Sequence, residues 1–311
     1  MEAINTTHLL VIGGTGFIGH HLLKSVQQKG WQLTSVSLKP PTEERFVGGV
    51  RYLHFDLSDR GLVKSNLDED FDYVVNLGGY INHRLFREGG RDLIKMHFTT
   101  LQNLLEVLPR RKLKRFVQIG SSDEYGNAPA PQNEELREQP ISPYSLAKVA
   151  STHFLQMLHQ TENFPAVTLR FFLTYGPGQD TGRFLPQIIQ GCLTDSTFPT
   201  TEGKQIRDFC YVDDTVRAIL QTLVVPEAVG NIINIASGKP ISIREMIEKI
   251  CAMTDSGKPQ YGKIPYRPGE NMALYASISK AKKVLQWKPL ISLEEGLTKT
   301  INTFFVDNGY G

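Results

Sequence analysis

His8-Leu9-Leu10-Val11-Ile12-Gly13-Gly14-Thr15-Gly16-Phe17-Ile18-Gly19 is the stretch on which the reading of this chain turns. His8–Ile12 is a short apolar run of strand type, and Phe17–Lys29 has the spacing of an amphipathic helix. Between them the glycines at 13, 16 and 19 let the turn tighten, let backbone approach a ligand, and let helix pack on strand. The helix start then offers unpaired N–H groups and a partial positive charge, which suits a pyrophosphate. Gly13, Thr15, Gly16, Phe17, Ile18 and Gly19 are therefore candidate contacts to a dinucleotide.

Working outward, the same alternation continues. Gln32–Ser37, Val50–Phe55, Tyr73–Leu77, Phe116–Ile119 and Ala166–Phe171 are expected strands, near-continuously apolar, with amphipathic stretches between them. Such runs belong to a parallel sheet covered on both faces, and β-α-β-α order implies right-handed crossovers in a doubly wound α/β fold. Past Tyr175-Gly176-Pro177-Gly178 the pattern loosens, with turn signals at Gly230-Asn231, Ser237-Gly238 and Pro268-Gly269. The division expected is 1–175 for the dinucleotide-binding domain. Residues 176–311 form a smaller mixed lobe that can send segments back into the first domain.

Composition narrows the function. Hydrophobic residues are 40% of the 311, charged residues 21%, and the net charge is +2, so no basic excess points to nucleic acid. No apolar run approaches the ~20 residues that span a bilayer. Three scattered cysteines, Cys192, Cys210 and Cys251, give neither a disulfide framework nor a zinc motif, and suit a reducing cytoplasm. The opening Met1–Thr7 has an acid and no basic residue, so no signal peptide is expected. The eight histidines show no metal-ligand spacing, and no metal site is assigned.

A free 2′-hydroxyl on the cofactor is usually held by an acid ending the second strand. Here Ser37 stands at that place, followed by Leu38-Lys39, with no carboxylate before Glu43. Ser37 and Lys39 suit a 2′-phosphate, so NADP is favoured, with NAD as the alternative. Asp56-Leu57 would meet the adenine edge, and Gly78-Gly79 would let the fourth strand pass close to the cofactor.

Tyr144 and Lys148 lie one helical turn apart and share a face. A free tyrosine titrates near ~10, too high for a proton shuttle at neutral pH, and a neighbouring ammonium favours the phenolate. Ser121 follows an apolar strand, at the end where a doubly wound sheet lines its ligand crevice. Its hydroxyl can orient a substrate carbonyl or alcohol while Tyr144 moves the proton. Lys148 would also hold the nicotinamide ribose.

The set G-G-T-G-F-I-G, S-S-D-E-Y-G, P-Y-S-L-A-K, Y-G-P-G-Q, R-D-F-C-Y-V-D-D and R-P-G-E resembles the extended short-chain dehydrogenase/reductases, from residue 8 to about 289. The resemblance implies a doubly wound parallel Rossmann sheet with a smaller mixed α/β substrate-binding lobe, a nucleotide-sugar substrate and a homodimer. It also implies that Arg207 and Arg267 hold the substrate diphosphate, where guanidinium forks suit the work. Arg183-Phe184-Leu185-Pro186 resembles the segment lining the nucleotide pocket, and Asp213 and Asp214 resemble residues that brace the lobe. Ser122 and Asp123 occupy places near the sugar where dehydratases of this family carry Asp-Glu or Ser-Glu, so the acid is one methylene shorter. Leu173 replaces a usual asparagine, and His97 replaces another that supports the active-site helix.

The stretch Gly120–Gly126 is similar in form to nucleotide 4-keto-6-deoxy-sugar reductases. With the NADP reading, it makes NADPH-dependent reduction at C4 the leading expectation, Tyr144 donating the proton. An NAD-dependent 4-epimerase or 4,6-dehydratase is the alternative, and a non-catalytic NADP sensor is more remote. For the dimer, Leu93, Met96, Leu101, Leu104, Leu105 and Leu108 form one apolar stripe, and Val149, Phe154, Leu155 and Leu158 another. Both could equally face the sheet.

Overall fold

Alternation along the strands sets the layers. Leu9 and Val11 enter one buried cluster, and Leu10 and Ile12 enter another on the opposite face. The computed structural model describes residues 6–267 and 269–308. Pro268 of the expected turn and the first five residues of the opening segment lie outside the described residues.

The chain runs β1 (His8–Ile12), α1 (Phe17–Gln27), β2 (Gln32–Ser37), β3 (Val50–His54), α2 (Arg60–Asn66) and β4 (Tyr73–Asn76). It continues through α3 (Gly90–Ile94), α4 (Thr100–Val107), β5 (Arg115–Ser121), α5 (Pro143–Glu162), β6 (Ala166–Phe171) and β7 (Leu173–Tyr175). Then follow α6 (Phe184–Leu193), β8 (Thr197–Pro199), β9 (Ile206–Tyr211), α7 (Val212–Val224), β10 (Ile232–Ile235) and β11 (Pro240–Ser242). Last come α8 (Ile243–Thr254), β12 (Lys258–Gln260), β13 (Ala273–Leu274), α9 (Ser279–Leu285) and α10 (Leu293–Asn308).

The main sheet has seven strands in the order β3-β2-β1-β4-β5-β6-β10, parallel throughout. This is the Rossmann α/β arrangement, with its reversal of strand order between β1 and β4, where a ligand crevice opens at the carboxyl ends. The expected strands match the observed ones to within a residue or two. α1 contributes Leu22, Leu23 and Val26 to one face, while α2, α4 and α5 cover the other with Val63, Leu101, Leu104 and Leu155. Leu93, Leu101, Leu104, Leu105, Leu108, Leu155 and Leu158 are all buried in the chain's own core. Met96, Val149 and Phe154 of the same stripes are only partly buried.

β10 returns from the second half to become the sheet's edge beside β6. The remaining strands build the other lobe: β9 pairs with β7, β11 and β13, and β8 pairs with β12. Two buried carboxylates brace it. Asp208 accepts from Ser237 N, Ser237 Oγ, Gly238 N and Ala276 N. Asp214 accepts from Leu290 N and Ile291 N, while the Trp287 indole donates to its backbone carbonyl. That agrees with the bracing role implied for Asp214. Asp213 is largely exposed, with His21 at 3.8 Å. Among the described residues no helix is long and apolar enough to cross a membrane.

Candidate active site

The glycine loop closes where the first strand stops. Gly13 N donates to Val36 O at 2.7 Å and Gly16 N to Gly13 O at 3.0 Å. Gly13 has φ +80, the left-handed region that favours glycine, and a Cβ on Gly19 would stand 2.3 Å from Gly13 O. The first turn of α1 has no side-chain cap and no acidic residue. Its N–H groups and dipole thus remain available to an anion, and the cradle fits a dinucleotide pyrophosphate. Thr15 N donates to Ser37 Oγ at 3.4 Å, so the Ser37 hydroxyl braces the loop itself. Lys39 and Asp56 are exposed. Asp56 accepts from Ser58 N, and the carbonyl of the half-buried Leu57 accepts from Asn103. Gly78 N donates to Asn76 Oδ1, and no side chain larger than hydrogen fits there without pressing on Ile12.

Ser121, Tyr144 and Lys148 come together at the carboxyl end of β5. Ser142 caps α5 and Pro143 occupies its first turn, which fixes the helix start beside the strand end. Tyr144 follows directly, and Lys148 lies one turn on, its Nζ donating to Ile119 O at 2.9 Å and standing 5.9 Å from the Tyr144 ring centre. Both are buried. Burial lowers the Lys148 ammonium to about 8. Burial also pushes the Tyr144 phenol up, with the Asp123 charge adding, while a hydrogen bond with Ser121 works the other way. The net direction is opposite to the lowering expected from Lys148, because desolvation of the phenolate outweighs its neighbours' help.

Ser121 has a second duty. Its Oγ accepts from Asp123 N while its own N–H donates to Glu124 Oε1 at 2.8 Å, a reciprocal capping box. Glu124 is fully buried and its other oxygen accepts from Thr152 Oγ1 and Arg170 Nε, each at 2.9 Å. That carboxylate is consumed by structure. Asp123 is the free acid of the pair. Burial raises it, against the pull of His83 and Arg207, and His83 Nε2 stands 3.7 Å away. Ser122 is buried beside them.

Opposite this wall, Arg183 and Arg267 line a cavity of about 510 Å³ together with Ile81, Asn82, His83, Arg84 and Gly182. Arg207 pairs with Glu270 and donates to Ile206 O at 2.9 Å. Its guanidinium also acts on Asp123. Nothing in the sequence marks His83 and Arg84, which sit on an irregular loop with no periodicity. Their one cue is position, just past the carboxyl end of β4.

His97 lies on a wide π-turn, Lys95–Thr99, between α3 and α4. Its ring meets Tyr144 edge to face at 5.0 Å, and its Nε2 donates to Tyr80 O at 3.1 Å. Burial, with Lys148 adding, lowers it to about 3, so it is a neutral donor. The ring also fills the space a side chain at Gly79 would need, where φ is +108.

Comparison with known proteins identifies the family. A model of the NAD dependent epimerase/dehydratase family matches residues 9–236. The chain is 28% identical to a dTDP-glucose 4,6-dehydratase of Xanthomonas campestris pv. campestris (strain B100), covering 96% of this chain and 93% of that protein. It is also 28% identical to a UDP-glucuronate 4-epimerase of Thermodesulfobacterium geofontis, covering 95% of each. The crystal structure of a UDP-glucuronic acid 4-epimerase from Bacillus cereus, in complex with UDP-glucuronic acid and NAD, aligns with a TM-score of 0.84. Its sequence identity is 26%, over 96% of this chain and 98% of that one.

Proposed function

The chain belongs to the NAD dependent epimerase/dehydratase family, and from that premise we propose that it interconverts the C4 configuration of a nucleotide-linked sugar with a retained NAD. The glycine loop and Lys148 would hold the cofactor, which would supply a reversible hydride acceptor for C4. Tyr144, held as phenolate once an oxidised nicotinamide adds its positive charge to that of Lys148, accepts the C4 hydroxyl proton and gives it back, and Ser121 donates to O4 or accepts from it as the oxygen changes state. Arg183, Arg207 and Arg267 bind the diphosphate end, leaving the sugar beside Asp123 and His83.

The observation that carries this reading is the division of labour between Asp123 and Glu124. Loss of water across C5 and C6 needs one group to take a proton from C5 and another to protonate the departing hydroxide. Glu124 is spent on Ser121, Thr152 and Arg170, which leaves Asp123 alone and Ser122 where a second acid would stand. Inversion at C4 asks only for Tyr144. The NADP preference read from Ser37 and Lys39 gains no support from the Bacillus cereus structure, which contains NAD. Reduction of a 4-keto-6-deoxy sugar by NADPH remains a second reading, favoured by the Ser121–Gly126 form and by exposed Lys39 after β2. A homodimer would use what α5 and the π-turn leave outside the core, with Phe98 and Phe154 in edge contact and Met157 exposed.

The test is to incubate the purified protein, without added cofactor, with UDP- and dTDP-linked hexoses and hexuronic acids, and to follow C4 by NMR. A 4-epimer supports the proposal. A 4-keto-6-deoxy product, or turnover only with added NADPH, overturns it.

A further inference from the structure

We propose that Arg45 retains the dinucleotide, as a clasp that ties the glycine loop to the second lobe. The inference rests on the reading above that the cofactor stays bound through turnover. Arg45 ends a short helical turn, Glu43–Arg45, beyond the carboxyl end of β2. Its Nη1 donates to Thr15 O at 3.3 Å, inside the loop that cradles the pyrophosphate. Its Nη2 donates to Gly178 O at 2.9 Å and to Asp180 Oδ1 at 2.7 Å, in the segment that follows β7.

α1 holds both ends of this bridge. The His20 ring donates to Arg45 O at 3.0 Å, and the His21 ring donates to Pro177 O at 2.9 Å. Arg183 N donates to Asp180 O at 2.9 Å, so the clasp continues into the segment whose Gly182 and Arg183 line the cavity beside His83.

Place and chemistry together give the role. The carboxyl ends of β1 and β2 border the crevice that receives a dinucleotide, so Arg45 spans the rim of its adenosine half. An exposed ion pair alone contributes little, and Asp180 is 63% exposed. Two backbone carbonyls from separate loops make the difference. A planar guanidinium with fixed N–H directions holds those loops at one spacing, which a flexible ammonium does not. Release of a bound dinucleotide requires the loops to part, and parting them breaks the Arg45 bonds. Arg45 is thus a positioning residue that acts through the glycine loop.

The experiment measures dissociation of NAD, and separately of NADP, by stopped-flow chase from the full chain and from Arg45→Ala, Arg45→Lys and Asp180→Asn. Arg45→Ala should release the dinucleotide about tenfold faster, the equivalent of about 1.4 kcal/mol of lost interaction. Arg45→Lys should recover part of that, and Asp180→Asn should shift the rate in the same direction by a smaller factor. For protein stripped of its cofactor, the apparent KM for added NAD should rise with the release rate, and kcat at saturating NAD should stay within about twofold. Unchanged release from Arg45→Ala overturns the clasp, as does a fall in kcat with KM unchanged. A wild-type protein that holds only NADP, or releases NAD within a turnover, contradicts the retained-NAD reading instead. The clasp is then judged on the release of whichever dinucleotide is bound.

Discussion

Replacing His97 by asparagine should remove a large part of the protein's sensitivity to acid. His97 is buried against Tyr144, donates to Tyr80 O, and is lowered to about 3, against 6.5 for a free imidazole. Because the folded value lies below the unfolded one, the unfolded chain binds a proton that the folded chain refuses. Stability from this residue is therefore intact above pH ~6.5 and is lost as pH falls from there towards ~3. Below 6.5 the loss runs at about 1.4 kcal/mol per pH unit, so between pH 7.5 and 5.0 it amounts to about 2 kcal/mol. Urea unfolding of the wild type and of His97→Asn at both pH values gives four free energies. Their double difference cancels groups that titrate alike in the two proteins, Lys148 and Asp123 included. The wild type should lose about 2 kcal/mol more than the variant. Parallel pH profiles would refute a neutral, desolvated His97.

Three other changes probe the site. Tyr144→Phe should lower turnover by about a thousandfold while dinucleotide binding, followed by fluorescence titration, stays within about twofold. Glu124→Gln leaves the buried Arg170 guanidinium with Glu138 as its remaining carboxylate, and should cost about 1–3 kcal/mol in urea unfolding; a loss below about 0.5 kcal/mol would show that the pair is not desolvated. Asp123→Asn should keep C4 epimerisation within about tenfold, measured by NMR of the sugar, whereas an enzyme that used Asp123 for elimination would lose its product altogether.

The sheet was legible because its central strands are buried on both faces and read as largely apolar runs, as in Leu9–Ile12. Ser121, Tyr144 and Lys148 were legible because short backbone geometry joins them: a strand end, a capped helix and a one-turn spacing. What lay hidden depends on contacts across the chain. Whether Leu101 and Leu104 face the sheet or a partner is decided by what packs on α4, and spacing alone is silent there. That Glu124 is spent on structure depends on Arg170 and Thr152, distant in sequence, which both donate to one of its oxygens. The direction of the Tyr144 shift depends on burial, which a local motif does not record.

The most direct test of retained-cofactor chemistry at C4 follows a label. A nucleotide-linked hexose carrying deuterium at C4 is turned over by the purified protein with no cofactor added, and the product is read by NMR and mass spectrometry. The expected result is a 4-epimer with the deuterium still on C4, and no label in solvent. Deuterium found on C6, or no turnover until NADPH is supplied, would contradict it.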